Sequence, residues 1–363
     1  MGSTLNDGEQ YMAKTSATTQ DMVKEYYGQV LQTNRDLKTT ACCSVEVMPK
    51  HLRPLVDNIE EEVRARFYGC GAPLPPVLEG KTILDLGSGS GRDCYLLSQL
   101  VGPQGKVIGV DMTDEQLAVA RKHLDTHMKR FGFAKPNIDF RKGNMEDLKA
   151  LDIADNSVDV VVSNCVFNLS PDKPRLFAEV FRVLKPGGEL YFSDVFSDRR
   201  VPPALVKDPV LLGECLSGAL YVHDFKRMMR DVGCLDVREI SRGPVSLGSS
   251  EIDRKIGMIT FSSITYRAFK LDLEDLCEDY GQVAYYQGTI PEHPHTFALD
   301  DHHLFKTGVP MLVCGNTADM ISKTRFAPHF KVVGDKSTHH GLFDCGPTPS
   351  TGTGAAANGA ACC

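Results

Sequence analysis

Two hydrophobic rhythms divide the chain. From residue 82 to about residue 200, short β-branched runs alternate with longer stretches whose apolar residues recur every three or four positions. TILDLG, KVIGVDM, IDFRKGN, SVDVVVSN and GGELYFSDVF read as strands. RDCYLLSQLV, DEQLAVARKHLDTHMKRFG and DKPRLFAEVFRVLK read as helices. Such alternation builds βαβ units, hence an α/β fold with a parallel sheet, helices on both faces and right-handed crossovers. Ahead of it, DMVKEYYGQVLQTNRDL at 21–37 has helical spacing. HLRPLVDNIEEEVRARF at 51–67 places Leu52, Leu55, Val56, Ile59 and Val63 on the stripe of a second helix. Beyond Gly243 the rhythm weakens: MITFSSITYRAFKL is strand-like, and GQVAYYQGTI is its expected pairing partner. The expected organisation is an N-terminal helical segment (1–78), a Rossmann-like core (79–243), a small mixed C-terminal domain (244–345) and a flexible tail (346–363) ending in Cys362 and Cys363.

Composition narrows the functional classes. A net charge of −7 argues against a nucleic-acid partner, which would require clustered Lys and Arg. No run approaches the roughly 18 apolar residues of a membrane span, and the polar start lacks an apolar signal core. A cytoplasmic, monomeric protein is the expectation. Twelve cysteines are many for such a chain. In a reducing compartment they point to metal, metalloid or redox chemistry, although any single buried thiol packs like a small hydrophobe. Cys94 and Cys234 read as such packing residues.

DLGSGSGRD at 85–93 follows a strand and opens a helix. Its glycines permit a tight turn and close approach to a ligand. Asp111 ends the next strand, where a carboxylate can hold ribose hydroxyls. The spacing is G-x-G-x-G rather than the dinucleotide G-x-G-x-x-G, so S-adenosylmethionine is favoured over NAD. GNMEDL at 143–148 adds an acidic loop suited to an adenine edge, and RVLKPGGELYFSD a turn into a strand. Together these elements resemble the class I methyltransferases.

No histidine flanks these motifs as a general base, whereas thiols do. Cys165 ends the strand VVSN, where open α/β sheets bind ligands. Cys215 sits in LLGECLSGALY and Cys70 in the loop YGCG. Three thiolates this far apart in sequence lack the paired spacing of structural zinc sites. They suit trivalent arsenic, which takes three sulfur ligands in a pyramid and keeps a nucleophilic lone pair.

RFYGCG, ILDLGSGSGRDCYLLSQLVG, VVSNCVFNL, GGELYFSDVF and GECLSGALY closely resemble the arsenite methyltransferase family over residues 21–235. The resemblance implies arsenic ligands at Cys70, Cys165 and Cys215. It implies a fourth cysteine best matched by Cys42, though its doubling by Cys43 leaves the disulfide partner of Cys70 open. For the cofactor it implies Tyr68 near the methionine portion and the glycine loop from Asp85 through Gly87, Ser88, Gly89 and Gly91. It further places Asp111 and Met112 at the ribose, Met145 and Glu146 at the adenine, and Asn164 with Val166 lining the pocket. Arsenite and methylarsenite are the implied substrates, and thioredoxin or glutathione the implied reductant. Two other readings stay open on the sequence: a methyltransferase acting on carbon or oxygen of a lipid-like substrate, and a metalloid sensor without turnover.

Overall fold

The computed structural model describes residues 48–344, apart from 207, 209, 210, 212–214, 248 and 249. The helix expected at 21–37, together with Cys42, Cys43, Cys345, Cys362 and Cys363, lies outside the described residues. Among the described residues no helix is long and apolar enough to cross a membrane.

The segment expected as one helix over 51–67 forms a 3-10 turn and two short helices, α1 (Arg53–Asp57) and α2 (Glu61–Ala65). The break follows from tertiary bonds. The Glu60 amide donates to His127 Nε2 at 3.1 Å instead of continuing a helical ladder, and Ile59 turns fully inward. Next come β1 (Thr82–Leu86), α3 (Arg92–Val101) and β2 (Lys106–Asp111). The long helix expected at 114–132 is also divided, into α4 (Asp114–Lys122) and α5 (Leu124–Phe131), at His123. Gly132, with φ 74°, supplies the left-handed C-cap that ends α5. Then follow β3 (Ile138–Lys142), β4 (Val158–Asn164), α6 (Lys173–Val183) and β5 (Leu184–Ser197). Asp172 caps α6 by accepting from the Arg175 amide. The short β6 (Leu220–Tyr221) leads into α7 (Val222–Asp231) and β7 (Val237–Pro244).

Strands β1 to β5 are parallel in the order β3-β2-β1-β4-β5, the doubly wound pattern the alternation predicts. β1 and β4 are interior strands covered on both faces, which is why they read as apolar runs rather than alternating ones. The pairing expected in the C-terminal region does not form. β8 (Phe261–Phe269) enters the main sheet antiparallel between β5 and β7, following α8 (Ser250–Ile256). Residues 264–269 of β8 are all buried, a pattern that an edge hairpin could not satisfy. β9 (Gln282–Tyr286) is instead the centre of a small sheet between β12 (Pro310–Val313) and β13 (Phe330–Val333). A hairpin of β10 (Thr296–Ala298) and β11 (Leu304–Lys306) and helix α9 (Gly315–Ser322) complete this layer. Its core is aromatic: Tyr286, Phe297, Phe305, Phe326 and Phe330.

One buried charge joins the small sheet to the main one. Glu189 on β5 is fully enclosed and ion-paired to Arg267 of β8 and to Arg325, which follows α9. Arg267 also donates to the Leu299 carbonyl, and Arg325 Nε to Pro76 O at 3.0 Å. Removing the anion leaves two guanidinium groups uncompensated in low dielectric, a loss of roughly 3–5 kcal/mol. Glu189→Gln is therefore expected to lower the unfolding free energy by that order in urea titrations. A change below about 1 kcal/mol would show that solvent reaches the triad.

Candidate active site

The carboxyl ends of β1, β2 and β4 open into a cleft whose space, including its mouth, is about 990 Å³. The turn from β1 into α3 forms its floor. Gly87 has φ 74°, and a Cβ there would lie 2.4 Å from the Val166 side chain, so the turn closes only with glycine. Gly89, at φ 51°, has nothing within 4 Å of a built Cβ: it faces the opening. Gly91 differs. Its Cβ would meet Phe140 at 2.8 Å and Ala120 at 3.1 Å, so it seats α3 against β3 and does not line the cleft. The other eleven positions expected at the cofactor do line it: Tyr68, Asp85, Gly87, Ser88, Gly89, Asp111, Met112, Met145, Glu146, Asn164 and Val166.

The walls are acidic. Asp111 accepts from the Gly89 and Thr113 amides, each at 2.8 Å, and burial nonetheless pushes its carboxyl up. Asp85 is pushed up to about 8, by burial first and then by the charge of Asp93. The Cys94 thiol, fully buried behind it, donates to Asp85 Oδ2 at 3.2 Å. Glu146 accepts from Ser170 Oγ at 2.6 Å. Ser88 Oγ is buried in the wall without a hydrogen-bond partner. Two enclosed carboxyls short of counter-charge, a hydroxyl short of a partner and an open face at Gly89 make a receptor that fits a cationic nucleoside such as S-adenosylmethionine.

Asn164, the last residue of β4, ties the thiol loop to this wall. Its Oδ1 accepts from the Cys70 and Gly71 amides at 3.0 and 3.1 Å. Its Nδ2 donates to Gly71 O at 2.9 Å and Asp93 Oδ2 at 3.0 Å. Cys70 is thereby brought to Cys165, with Cα atoms 5.6 Å apart, and the two are joined as a disulfide. The partners the resemblance implied for Cys70, Cys42 or Cys43, lie outside the described residues; in the described structure Cys70 is bonded to Cys165, because the loop is drawn onto the end of β4. Cys215 Sγ donates to the Cys165 carbonyl at 3.2 Å. Leu169, Val195, Leu211 and Leu216, with Ile252 and Ile256 of α8, enclose all three cysteines. Cys165 and Cys215 both have φ 60°, a left-handed backbone that residues with a Cβ rarely adopt.

Sequence reasoning missed Asp194, the residue of GGELYFSDVF that follows Ser193. One of its oxygens and the sulfurs of Cys70 and Cys165 all lie within 4.8 Å of one another. Burial pushes its carboxyl up to about 7, against bonds from the Val195 and Asn168 amides and the charge of Lys173. The alternation of β5 carried no signal for it, since both faces of that strand are covered. Cys234, near the start of β7, is buried, and its thiol is pushed up to about 12 by burial.

The fold and the cleft define a class I methyltransferase. Residues 78–233 match a family model described as a methyltransferase domain, and residues 279–351 match the arsenite methyltransferase C-terminal domain. The chain is 56% identical to an arsenite methyltransferase of Aquipseudomonas alcaligenes over 90% of this chain and 94% of that protein. It is 42% identical to the human arsenite methyltransferase, over 89% and 87%. Among solved structures it is similar to an arsenic(III) S-adenosylmethionine methyltransferase of Chlamydomonas reinhardtii, at 50% identity and a TM-score of 0.79, over 82% of this chain and all of that one. The chain belongs to the arsenite methyltransferase family.

Asp85 and Asp194 hold their protons to higher pH in the folded chain than in the unfolded one, where carboxyls titrate near 4. The folded state therefore binds more protons between about pH 4 and pH 8, and its stability falls as pH rises through that window. Melting temperatures of the cofactor-free protein should decline from pH 5 to pH 8, and Asp85→Asn should flatten the decline. A flat wild-type profile would contradict the raised carboxyls. In reduced protein, Cys165→Gly should be more stable than Cys165→Ala by about 1 kcal/mol, because only glycine adopts φ 60° without cost. Equal stabilities would mean that the backbone relaxes.

Proposed function

We propose that this chain transfers methyl groups from S-adenosylmethionine to trivalent arsenic held by Cys70, Cys165 and Cys215, giving mono- and dimethylated arsenicals. The observation that supports this most is the double position of Cys165, in the wall of the cleft and within bonding distance of a second thiol. When bound, the cofactor supplies an electrophilic methyl group on a sulfonium. Asp111 and Met112 would hold its ribose, Met145 and Glu146 its adenine edge, and Asp85 with Tyr68 its methionine portion. Ser88 Oγ gains a partner on binding.

Arsenite is uncharged at neutral pH, so it enters the apolar thiol pocket without carrying an ionic solvation shell. Each arsenic–oxygen bond exchanged for an arsenic–sulfur bond releases water and requires the thiol to give up its proton. Asp194, beside the sulfurs and titrating near neutrality, is placed to take that proton. Lys173 donates to the Asn168 and Ser170 carbonyls at 3.1 and 3.0 Å, and its charge favours the ionised form of Asp194. Cys70, Cys165 and Cys215 would hold arsenic with its lone pair toward the cofactor's methyl group; an arsenic–carbon bond would form as the methyl–sulfur bond breaks, the neutral thioether S-adenosylhomocysteine being the leaving group. Arsenic gives up two electrons in that step, and a thiol pair that closes to a disulfide returns them. The Cys70–Cys165 disulfide is the oxidised end of such a cycle, which thioredoxin or glutathione would reopen. A methylated arsenical needs only two thiolates, which permits a second round.

Transfer of labelled methyl from S-adenosylmethionine to arsenite is the direct test. Wild-type protein in excess thiol should label arsenic, whereas Cys165→Ser and Cys215→Ser should lose at least a hundredfold in rate while still binding the cofactor. Full activity in both variants would return the search to an organic substrate. Asp194→Asn should slow single-turnover arsenite loading at pH 6–7 and relieve the defect as pH rises and the thiols ionise unaided. A defect independent of pH would remove the proton-acceptor role.

A further inference from the structure

A second pair of thiols lies outside the cleft. Cys314 follows β12 and is the N-cap of α9, fully buried. Donors surround its sulfur. The Thr317 amide reaches it at 3.5 Å, Arg238 Nη2 at 3.9 Å, and the Thr317 hydroxyl lies at 3.3 Å. The Cys277 side chain is a fourth hydrogen-bond partner. The Gly315 amide donates to Glu278 O at 2.9 Å, which fixes the segment carrying Cys277 against the start of α9. Arg238, on β7 three strands from β4, is itself held by Asp236 at 2.6 Å and Asp300 at 3.0 Å.

This is the setting of a thiolate: a helix N-terminus, a guanidinium and hydrogen-bond donors converge on one sulfur. The Cys314 thiol is pushed down to about 5, chiefly by the bond from Cys277 and against its burial. Cys277 is only partly covered, so it is the entry to the pair. Two sulfurs, one ionised and one partly covered, suit a soft centre with two exchangeable positions. The guanidinium beside Cys314 opposes a divalent cation. Asp300, His302 and His303 also lie within ligand distance of one another, but Arg238 already bonds Asp300 and approaches His303 Nδ1 at 3.3 Å, so the place of a cation there is taken.

We propose that Cys277 and Cys314 form a second arsenic site, binding a singly substituted trivalent arsenical such as methylarsenite as a bis-thiolate. The proposal rests on the reading that this chain handles trivalent arsenic. Two arsenic–oxygen bonds break and two arsenic–sulfur bonds form. Cys277 contributes its proton, solvent contributes one more because Cys314 is already ionised, and two waters leave. No electrons move. A neutral dihydroxy arsenical reaches Cys277 first and then closes onto Cys314.

The full chain, reduced and freed of small thiols, is titrated with methylarsenite. Bound arsenic is counted by native mass spectrometry, and each cysteine is scored for protection from N-ethylmaleimide. Cys277 and Cys314 should be protected together, at least tenfold. Cys277→Ser and Cys314→Ser should each bind one arsenic fewer than wild type while retaining methyl transfer within about twofold. Cys165→Ser should lose transfer yet keep protection at the second pair. An arsenic count unchanged in Cys277→Ser, together with no protection of Cys277 in wild type, would overturn the site. Should Cys314→Ser fail to fold, Cys277→Ser on the partly exposed segment decides alone. Protection without any methyl transfer by wild type would refute the proposed reaction and leave this site standing.

Discussion

The side-chain amide of Asn164 is the joint on which the site depends. The loop that carries Cys70 is not part of any strand of the sheet; Asn164 at the end of β4 satisfies the Cys70 and Gly71 amides and the Gly71 carbonyl, and Ser263 Oγ of β8 donates to the Cys70 carbonyl at 3.0 Å. The approach is close because the loop is bare there. A Cβ at Gly69 would stand 2.5 Å from the Asn164 amide, and one at Gly71 would stand 2.5 Å from Ser193 Oγ. Loss of the amide would orphan two N–H groups and a carbonyl at the thiol loop, at about 1–3 kcal/mol for each group buried without a partner. The same residue reaches Asp93 in the first turn of α3. Cofactor wall and thiol pocket therefore share one side chain as a tie.

The protein ionises its thiols by two different arrangements. Around Cys70 and Cys165 the surroundings are apolar, and the nearby titrating group is the carboxyl of Asp194. Around Cys314 the bond from Cys277 acts first, followed by the charge of Arg238 and the donors of Thr317 at the start of α9. On the proposed reading the first arrangement moves protons during the reaction, whereas the second holds one sulfur charged at rest. Asp236 and Asp300 keep Arg238 in place, so a charge network that otherwise only stabilises the fold also sets the state of a sulfur.

Local patterns made the parallel core readable. β1 and β4 are apolar along their length because they are interior, α6 begins at a recognisable Asp-Lys-Pro cap, and the glycine turn lies where strand gives way to helix. The interrupted helices were not readable, because His127 captures an amide from more than sixty residues away in sequence. β8 was misassigned for a related reason: a strand buried on both faces reveals that it is interior but not which neighbours it has. At the site, the glycine turn, Asp111 and the acidic loop at 143–148 followed from local pattern, whereas Tyr68, Met112, Asn164 and Val166 came only from the family resemblance. Gly91 was misjudged because a glycine needed for packing and one needed for ligand approach look alike in sequence. Asp194 stayed hidden because its significance arises only when Cys70 is folded onto β4.

The insertion of β8 bears on how the chain can be divided. The two regions that match family models, 78–233 and 279–351, are separated by the stretch that supplies β7 and β8. A fragment stopped at 233 would keep the cleft, the glycine turn and Asn164. It would also strip β5 of its partner from Glu189 to Ser197, leaving a long apolar strand as a bare edge in water. In evolutionary terms the stretch carrying β8 is a keystone rather than a cargo: a lineage could reshape its surface, but could not discard it without baring β5.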